Sequence, residues 1–221
     1  MRKVRRKQLK EDKFVESMLA AQLFFSRHVR LLMFFALVAA VVIALFAMVF
    51  AHRKNMDKKA AGLFQQASGA AAYLDLYHGY PRSTVAPLAL YEAAKTLYID
   101  GRYDESNMNY GLFLENYPGH PLAPDALNSM GYCLEVGGRV PEAAGVYRRV
   151  ADEYATAAVA PEALINSARC YRMTGKDGEA EEQYRRVIRE YPGSLRRLDA
   201  ERYLAELESG PEGLDRADTG E

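Results

Sequence analysis

Two different hydrophobic patterns divide the chain. From Leu31 to Ala51 there are 21 residues (LLMFFALVAAVVIALFAMVFA) with no charge, Gly or Pro. At about 1.5 Å rise per residue such a helix is about 31 Å long, matching the hydrocarbon core of a bilayer. A helix apolar on every side needs a large protein around it, and the remaining chain is too small to supply one. Beyond residue 82 the apolar residues recur every three to four positions instead. One set reads Leu90/Ala94/Leu97, Leu127/Gly131/Leu134 and Leu164/Ala168/Tyr171; a second reads Ser106/Tyr110/Phe113, Ala143/Tyr147/Val150 and Ala180/Tyr184/Val187. These sets predict amphipathic helices of two alternating kinds.

The two kinds repeat with a period of 37 residues. Tyr80-Pro81, Tyr117-Pro118, Tyr154-Ala155 and Tyr191-Pro192 keep that step, as do Ala86-Pro87, Ala123-Pro124 and Ala160-Pro161. So do Gly101, Gly138 and Gly175, and Glu105, Glu142 and Glu179. Each mark has a physical role. Pro87, Pro124 and Pro161 suit a first helical turn, where a missing N–H costs nothing. Asp125 and Glu162 place acids at the positive end of the helix dipole. The glycines suit the turn that closes a first helix. A second helix then starts near Tyr103, Val140 and Asp177 and stops at the Tyr-Pro pair, because Pro disfavours helix at the residue before it. Each unit is therefore an antiparallel helix pair, and a stack of such units buries faces that one pair cannot.

The series L-x-x-x-[AG]-x-x-[LY]-x-x-x-G, continued by Ala143 and Ala180, Tyr147 and Tyr184, and the closing Pro118 and Pro192, resembles the tetratricopeptide repeat. The family's repeat is about 34 residues, and the extra residues here fall in the loop between units. The resemblance implies a helix-hairpin solenoid; with the apolar run before it, the expected chain is all-α, a transmembrane helix followed by the solenoid with a C-terminal capping helix. The expected divisions are a basic, partly helical segment (1–30), the transmembrane helix (31–51) and a helical connector or degenerate half-repeat (52–82). Three repeats (83–193), a capping helix (194–208) and a disordered acidic tail (209–221) complete it.

Charge then orients the span. Residues 1–30 hold nine Lys/Arg against three acids, a net of +6, whereas the chain beyond the span holds 20 basic and 26 acidic residues, a net of −6. The positive-inside rule places the N-terminus in the cytoplasm and the repeat body across the inner (plasma) membrane, extracytoplasmic or periplasmic. A cleavable signal peptide, with Val49 and Ala51 as its small residues, is the competing reading; the apolar block exceeds the usual 7–15 residues. The apolar residues between Lys10 and Phe25 form an approximate helical stripe, read as a lead-in to the span or as a helix lying on the inner leaflet. The acidic body argues against nucleic acid as a partner.

Nothing in the chain reads as catalytic. No phosphate loop or nucleophile elbow is present, and the four His are scattered without metal-ligand spacing, so no cofactor and no metal are expected. Cys133 and Cys170 occupy equivalent sites on neighbouring first helices. Packed helix axes are about 8–10 Å apart, beyond the disulfide reach of about 7 Å, which predicts two buried thiols. What remains is a surface. In tetratricopeptide stacks the first helices line a concave groove. By helical phase its residues here are Tyr91, Lys95, Tyr98, Asn128, Tyr132, Glu135, Ile165, Arg169 and Arg172. The family's Lys/Asn/Arg clamp for C-terminal carboxylates is not matched, since Tyr91 and Glu162 stand where it needs cations or amides.

The order of basic head, KEDKFVESM lead-in, span and repeat body resembles the bacterial YfgM-like proteins, ancillary subunits of the Sec translocon. That resemblance implies a scaffold whose partners are Sec subunits, periplasmic chaperones and translocating chains. The join YPGHPLAPDAL also resembles repeat proteins of the Tol–Pal and outer-membrane assembly systems, which implies an adaptor in envelope biogenesis or division. A third reading, independent of both, is a structural organiser that self-associates.

Overall fold

The computed structural model describes the backbone of residues 2–209 and, apart from Met18 and Gln22, side chains from residue 28 onward except that of Glu208. The tail expected at 209–221 falls, from residue 210 on, outside the described residues, as does most of the stripe expected between Lys10 and Phe25. Among the described residues every regular element is helical. Two units are present, one ending at Asn55 and the other beginning at Met56.

The first unit is helical from Arg2 onward. Helix α1 (Arg2–Gln66) meets no Gly or Pro before Gly62, so nothing interrupts it between the basic segment and the apolar block. From Val29 to Asn55 every residue is exposed. A continuous exposed sleeve of Leu, Phe, Val and Met is untenable in water. By length and composition this helix can cross a membrane.

In the second unit, α1 ends at Gln66 and Gly69, with φ of 82°, turns the chain into α2 (Ala70–Gly79). The connector is thus two helices. Three helix pairs follow: α3 (Ala86–Ile99) with α4 (Tyr103–Asn116), α5 (Ala123–Val136) with α6 (Val140–Glu153), and α7 (Ala160–Met173) with α8 (Asp177–Glu190). All six are 14 residues long and start where the repeated marks place them. Each first helix ends the same way. Gly101, Gly138 and Gly175 take φ of 77°, 79° and 72°. The next N–H then reaches back five residues, from Arg102 to Leu97 O at 2.9 Å, Arg139 to Leu134 O at 2.8 Å and Lys176 to Tyr171 O at 2.9 Å. This glycine-dependent closure satisfies carbonyls the helix end would otherwise leave orphaned.

The core lies inside and between the pairs. Ala89, Ala126, Ala163 and Ala200 share one repeat register and all are fully buried. Within a pair, small faces large: a Cβ built on Gly131 would lie 2.4 Å from the ring of Tyr147. The aromatic therefore closes on its own hairpin, as well as packing toward Ala163 and Cys170 of the next. Ser106 Oγ donates to Ala94 O at 2.7 Å, and Cys133 Sγ donates to Ser106 Oγ at 3.2 Å, tying the first pair to the second.

Helix α9 (Arg196–Ser209) shows how the stack stops. Its positions corresponding to Ala163, Ser167 and Cys170, which face the preceding pair, are Ala200, Leu204 and Leu207. Those corresponding to Leu164 and Ala168, which would face a following helix, are Glu201 and Ala205. One face is retained and the other made polar, which is how a terminal cap stays soluble. Leu195 and Leu198, just before and within its first turn, stay exposed.

Candidate functional site

The first helices approach one another from pair to pair, α5 against α7 and α7 against α9, more closely than the second helices do. The stack is therefore tighter along the first-helix face, and that face carries the residues selected by helical phase. Position 91 and its equivalents lie deeper than phase alone suggests. Tyr91 is half-buried, edge-on to Tyr110 and Phe113 with ring centroids at 5.5 and 5.8 Å. Asn128 is only 6% exposed, and its Oδ1 is buried without a hydrogen bond. Ile165 packs against the core cluster between α7 and α9. Asn128 therefore does not present an open groove side chain, because the neighbouring pair closes over this register; Tyr91 and Ile165 are half covered for the same reason.

The next two registers are more open. Lys95 pairs with Glu92 one turn earlier at 3.3 Å. Tyr98 stands edge-on to Tyr103 with centroids at 5.4 Å. Tyr132 donates its hydroxyl to Glu162 Oε1 at 3.1 Å and accepts from Asn166 Nδ2 at 3.1 Å. Glu135 accepts from Tyr147 OH at 3.1 Å and takes the guanidinium of Arg169 in a two-pronged pair, with Nη2 to Oε2 at 2.8 Å. Arg172 lies beside the hydroxyl of buried Tyr184, whose pKa burial raises and the guanidinium lowers. The structure thus brings Glu135 and Arg169 together, links Tyr132 to α7, and leaves Lys95 and Tyr98 apart from them on α3.

Sequence reasoning missed Asn166, Arg196 and Tyr203 as part of this face and named Glu162 only at the helix start and at the unmatched clamp. Arg196 at the start of α9 reaches Glu162 Oε2 at 3.1 Å and Asp199 Oδ2 at 3.1 Å. Tyr203 shares the repeat register of Asn166, which could have marked α9 as a fourth groove helix as well as a cap. A second feature was also unread: Ile99, Val136 and Met173 end the three first helices at one register, and all are exposed.

Cys133 and Cys170 are buried free thiols. Burial pushes both up, Cys133 against the opposing hydrogen bond to Ser106. Cys170 rises to about 12, with the Glu135 charge adding to burial. A protonated, enclosed thiol is neither nucleophile nor metal ligand, and gives no handle for labelling the folded protein. Burial also raises the phenols of Tyr110 and Tyr147, so both are neutral hydrogen-bond donors at physiological pH. Among the described residues no group of three or more His, Cys, Asp or Glu comes together to hold a metal.

The arrangement defines a class: an antiparallel helix-hairpin solenoid whose first-helix face is a polar, aromatic-lined surface. Residues 91–158 and 162–194 each match a tetratricopeptide repeat family model, so the chain carries tetratricopeptide repeats. No curated protein matches the chain. Among solved structures it is similar to a tetratricopeptide repeat protein from Parabacteroides merdae, at 14% identity and a TM-score of 0.55, over 74% of this chain and 63% of that one. It is also similar to MamA, at 18% identity and a TM-score of 0.50, over 67% of this chain and 80% of that one. The chain thus spans less than two thirds of the first of these relatives, and at such identity the likeness concerns fold alone. Tetratricopeptide repeats are in general protein-interaction scaffolds without enzymatic activity.

Proposed function

We propose that this protein is a membrane-tethered interaction scaffold. Its α1 span is an uncleaved anchor, its N-terminus is cytoplasmic, and its repeat body docks protein segments on the extracytoplasmic side. The observation that carries the tether is the exposed apolar sleeve from Leu31 to Ala51, flanked by His28 and Arg30 on one side and His52, Arg53 and Lys54 on the other. The docking surface is the first-helix face, whose tyrosines and arginines are residue types that dominate binding energetics. In its specific form the reading is a scaffold at the Sec translocon exit, touching periplasmic folding factors and newly translocated chains. It rests on the resemblance to YfgM-like proteins in the KEDKFVESM lead-in and in topology. Self-association is a second reading, favoured by the exposed apolar row Ile99, Val136 and Met173, which a second copy in the same register would meet repeat for repeat.

Topology tests the tether. The natural thiols are buried, so the exposed loop residue Thr156 is replaced by Cys in the full-length chain and treated with a membrane-impermeant maleimide on intact spheroplasts. The variant is expected to label from outside and to remain in the membrane fraction at full length. Labelling only after lysis would put the body in the cytoplasm and remove the translocon-exit reading. A shortened, soluble labelled product would mean that the span is cleaved.

A further inference from the structure

Between α7 and α9 the first-helix face holds a recess of about 270 Å³. Its walls are Arg169, Arg172 and Arg196, with Ile165, Tyr184 and Tyr203 as the apolar and aromatic part; Glu162 is the one carboxylate on the lining. At this volume it is smaller than the roughly 300–1,000 Å³ of small-molecule sites, the scale of a side chain rather than of a cofactor.

Three guanidiniums converging here do not follow from the overall charge, since the chain beyond the span carries a net of −6, although Glu135, Glu162 and Asp199 pair with two of them. Nor are they explained by the repeat. The positions equivalent to Arg169 are Lys95 and Tyr132, those equivalent to Arg172 are Tyr98 and Glu135, and those equivalent to Arg196 are Val85, Leu122 and Val159. The arginine trio belongs to the last repeat and its cap alone. Internal partners use only part of its donor capacity. Arg169 gives two donors to Glu135, Arg196 gives one each to Glu162 and Asp199, and Arg172 sits beside the Tyr184 hydroxyl. A guanidinium has five N–H donors, so more than half of the fifteen remain for solvent or a ligand. The fixed pairs also hold Arg169 and Arg196 in place, which lowers the entropy lost when a ligand carboxylate arrives. Tyr184 and Tyr203, with ring centroids at 5.6 Å, offer the methylene part of an acidic side chain an apolar wall.

We propose that the recess between α7 and α9 is an acid-recognition subsite that receives an Asp or Glu side chain of a docked protein segment, with Arg172 and Arg196 as its ion-pair partners. This rests on the reading of the first-helix face as a protein-docking surface and adds the chemistry its C-terminal half selects. The aromatic N-terminal half, with Tyr91, Tyr98 and Tyr103, offers no comparable charge, so a docked segment is read with a polarity.

The test uses the full-length protein in detergent micelles and fluorescein-labelled hexaglutamate, read by anisotropy. Hexaglutamate is expected to bind, and hexaglutamine to bind at least about tenfold more weakly. Arg172→Gln and Arg196→Gln are each expected to weaken hexaglutamate binding about tenfold while leaving the melting temperature near that of the parent. Arg149→Gln, on an exposed second-helix position, is the control and is expected to leave binding unchanged. Equal losses from Arg149→Gln, equal binding of hexaglutamine, or displacement by oligothymidylate as effective as by hexaglutamate would each overturn the subsite. Those outcomes leave the docking surface itself standing, since it is tested independently by crosslinks from the first helices.

Discussion

Replacing Tyr147 by Ala is expected to lower the stability of the repeat body by about 3–5 kcal/mol, the cost of removing a fully buried aromatic side chain. Tyr147 is fully buried in the central hairpin and sits over Gly131, where no other side chain has room. Its ring stands edge-on to Tyr132, with centroids 5.5 Å apart, and its cluster includes Leu127, Leu134 and Val150 of the same pair and Ala163 and Cys170 of the next. Truncation therefore opens a cavity at a junction of two repeats. In a stack stabilised by nearest neighbours, that weakens the coupling between the outer pairs as well as the central one. Tyr147→Phe keeps the ring and loses only the bond to Glu135, which Arg169 continues to hold, so a cost of about 1–2 kcal/mol is expected. Urea titration followed by far-ultraviolet circular dichroism measures both. A Tyr147→Ala midpoint indistinguishable from the parent would mean that the core is not organised around this ring.

The second large effect is at the span. Residues 31–51 contain thirteen Leu, Ile, Phe and Val. At about −0.3 to −0.6 kcal/mol each near the helix centre, they favour insertion by about 4–8 kcal/mol. Val41 and Leu45 lie one turn apart in the middle of the run. Replacing both by Arg adds about 5–7 kcal/mol of cost, enough to cancel the drive. The double variant is expected to leave the membrane pellet on carbonate extraction, with the repeat body still folded by circular dichroism. Retention of the double variant in the pellet would mean that something other than α1 holds the protein to the membrane.

Much of the fold is legible in the sequence because its punctuation is local. The Ala-Pro starts, the glycine closures and the Tyr-Pro stops act on the backbone within a few residues, and they place α3 to α8. The face of each helix is legible too, since apolar spacing fixes angular position. Depth is not. Asn128 shares the phase of Tyr91 and Ile165, but phase does not tell how near the next hairpin comes, and that decides which of them is covered. The polar links across the stack are also invisible to a single-helix reading, although they obey one rule. Tyr132–Asn166, Glu135–Arg169, Glu162–Arg196 and Asp152–Arg186 are all 34 residues apart. That is one repeat less one helical turn, the offset at which residues of successive pairs come opposite. Scanning the chain at 34 as well as at 37 would have found the Arg196 wall of the recess.

These links also bear on rigidity. Half-exposed ion pairs contribute little each, about 0–1 kcal/mol. Glu135 differs from them: its side chain is 15% exposed and satisfied by both Arg169 and Tyr147, so it joins the surface network to the core. A first-helix face fixed in this way presents its aromatic and arginine-rich halves at a constant spacing, which is what a docking surface requires.

The most direct test of this account is site-specific photo-crosslinking in native membranes from four positions of the full-length chain. Lys95 and Arg172 lie on the first-helix face; Arg149 and Arg185 are exposed on second helices. The account predicts discrete protein adducts from positions 95 and 172 and none above background from 149 and 185. The same adducts from all four positions, or adducts from the second helices alone, would contradict it.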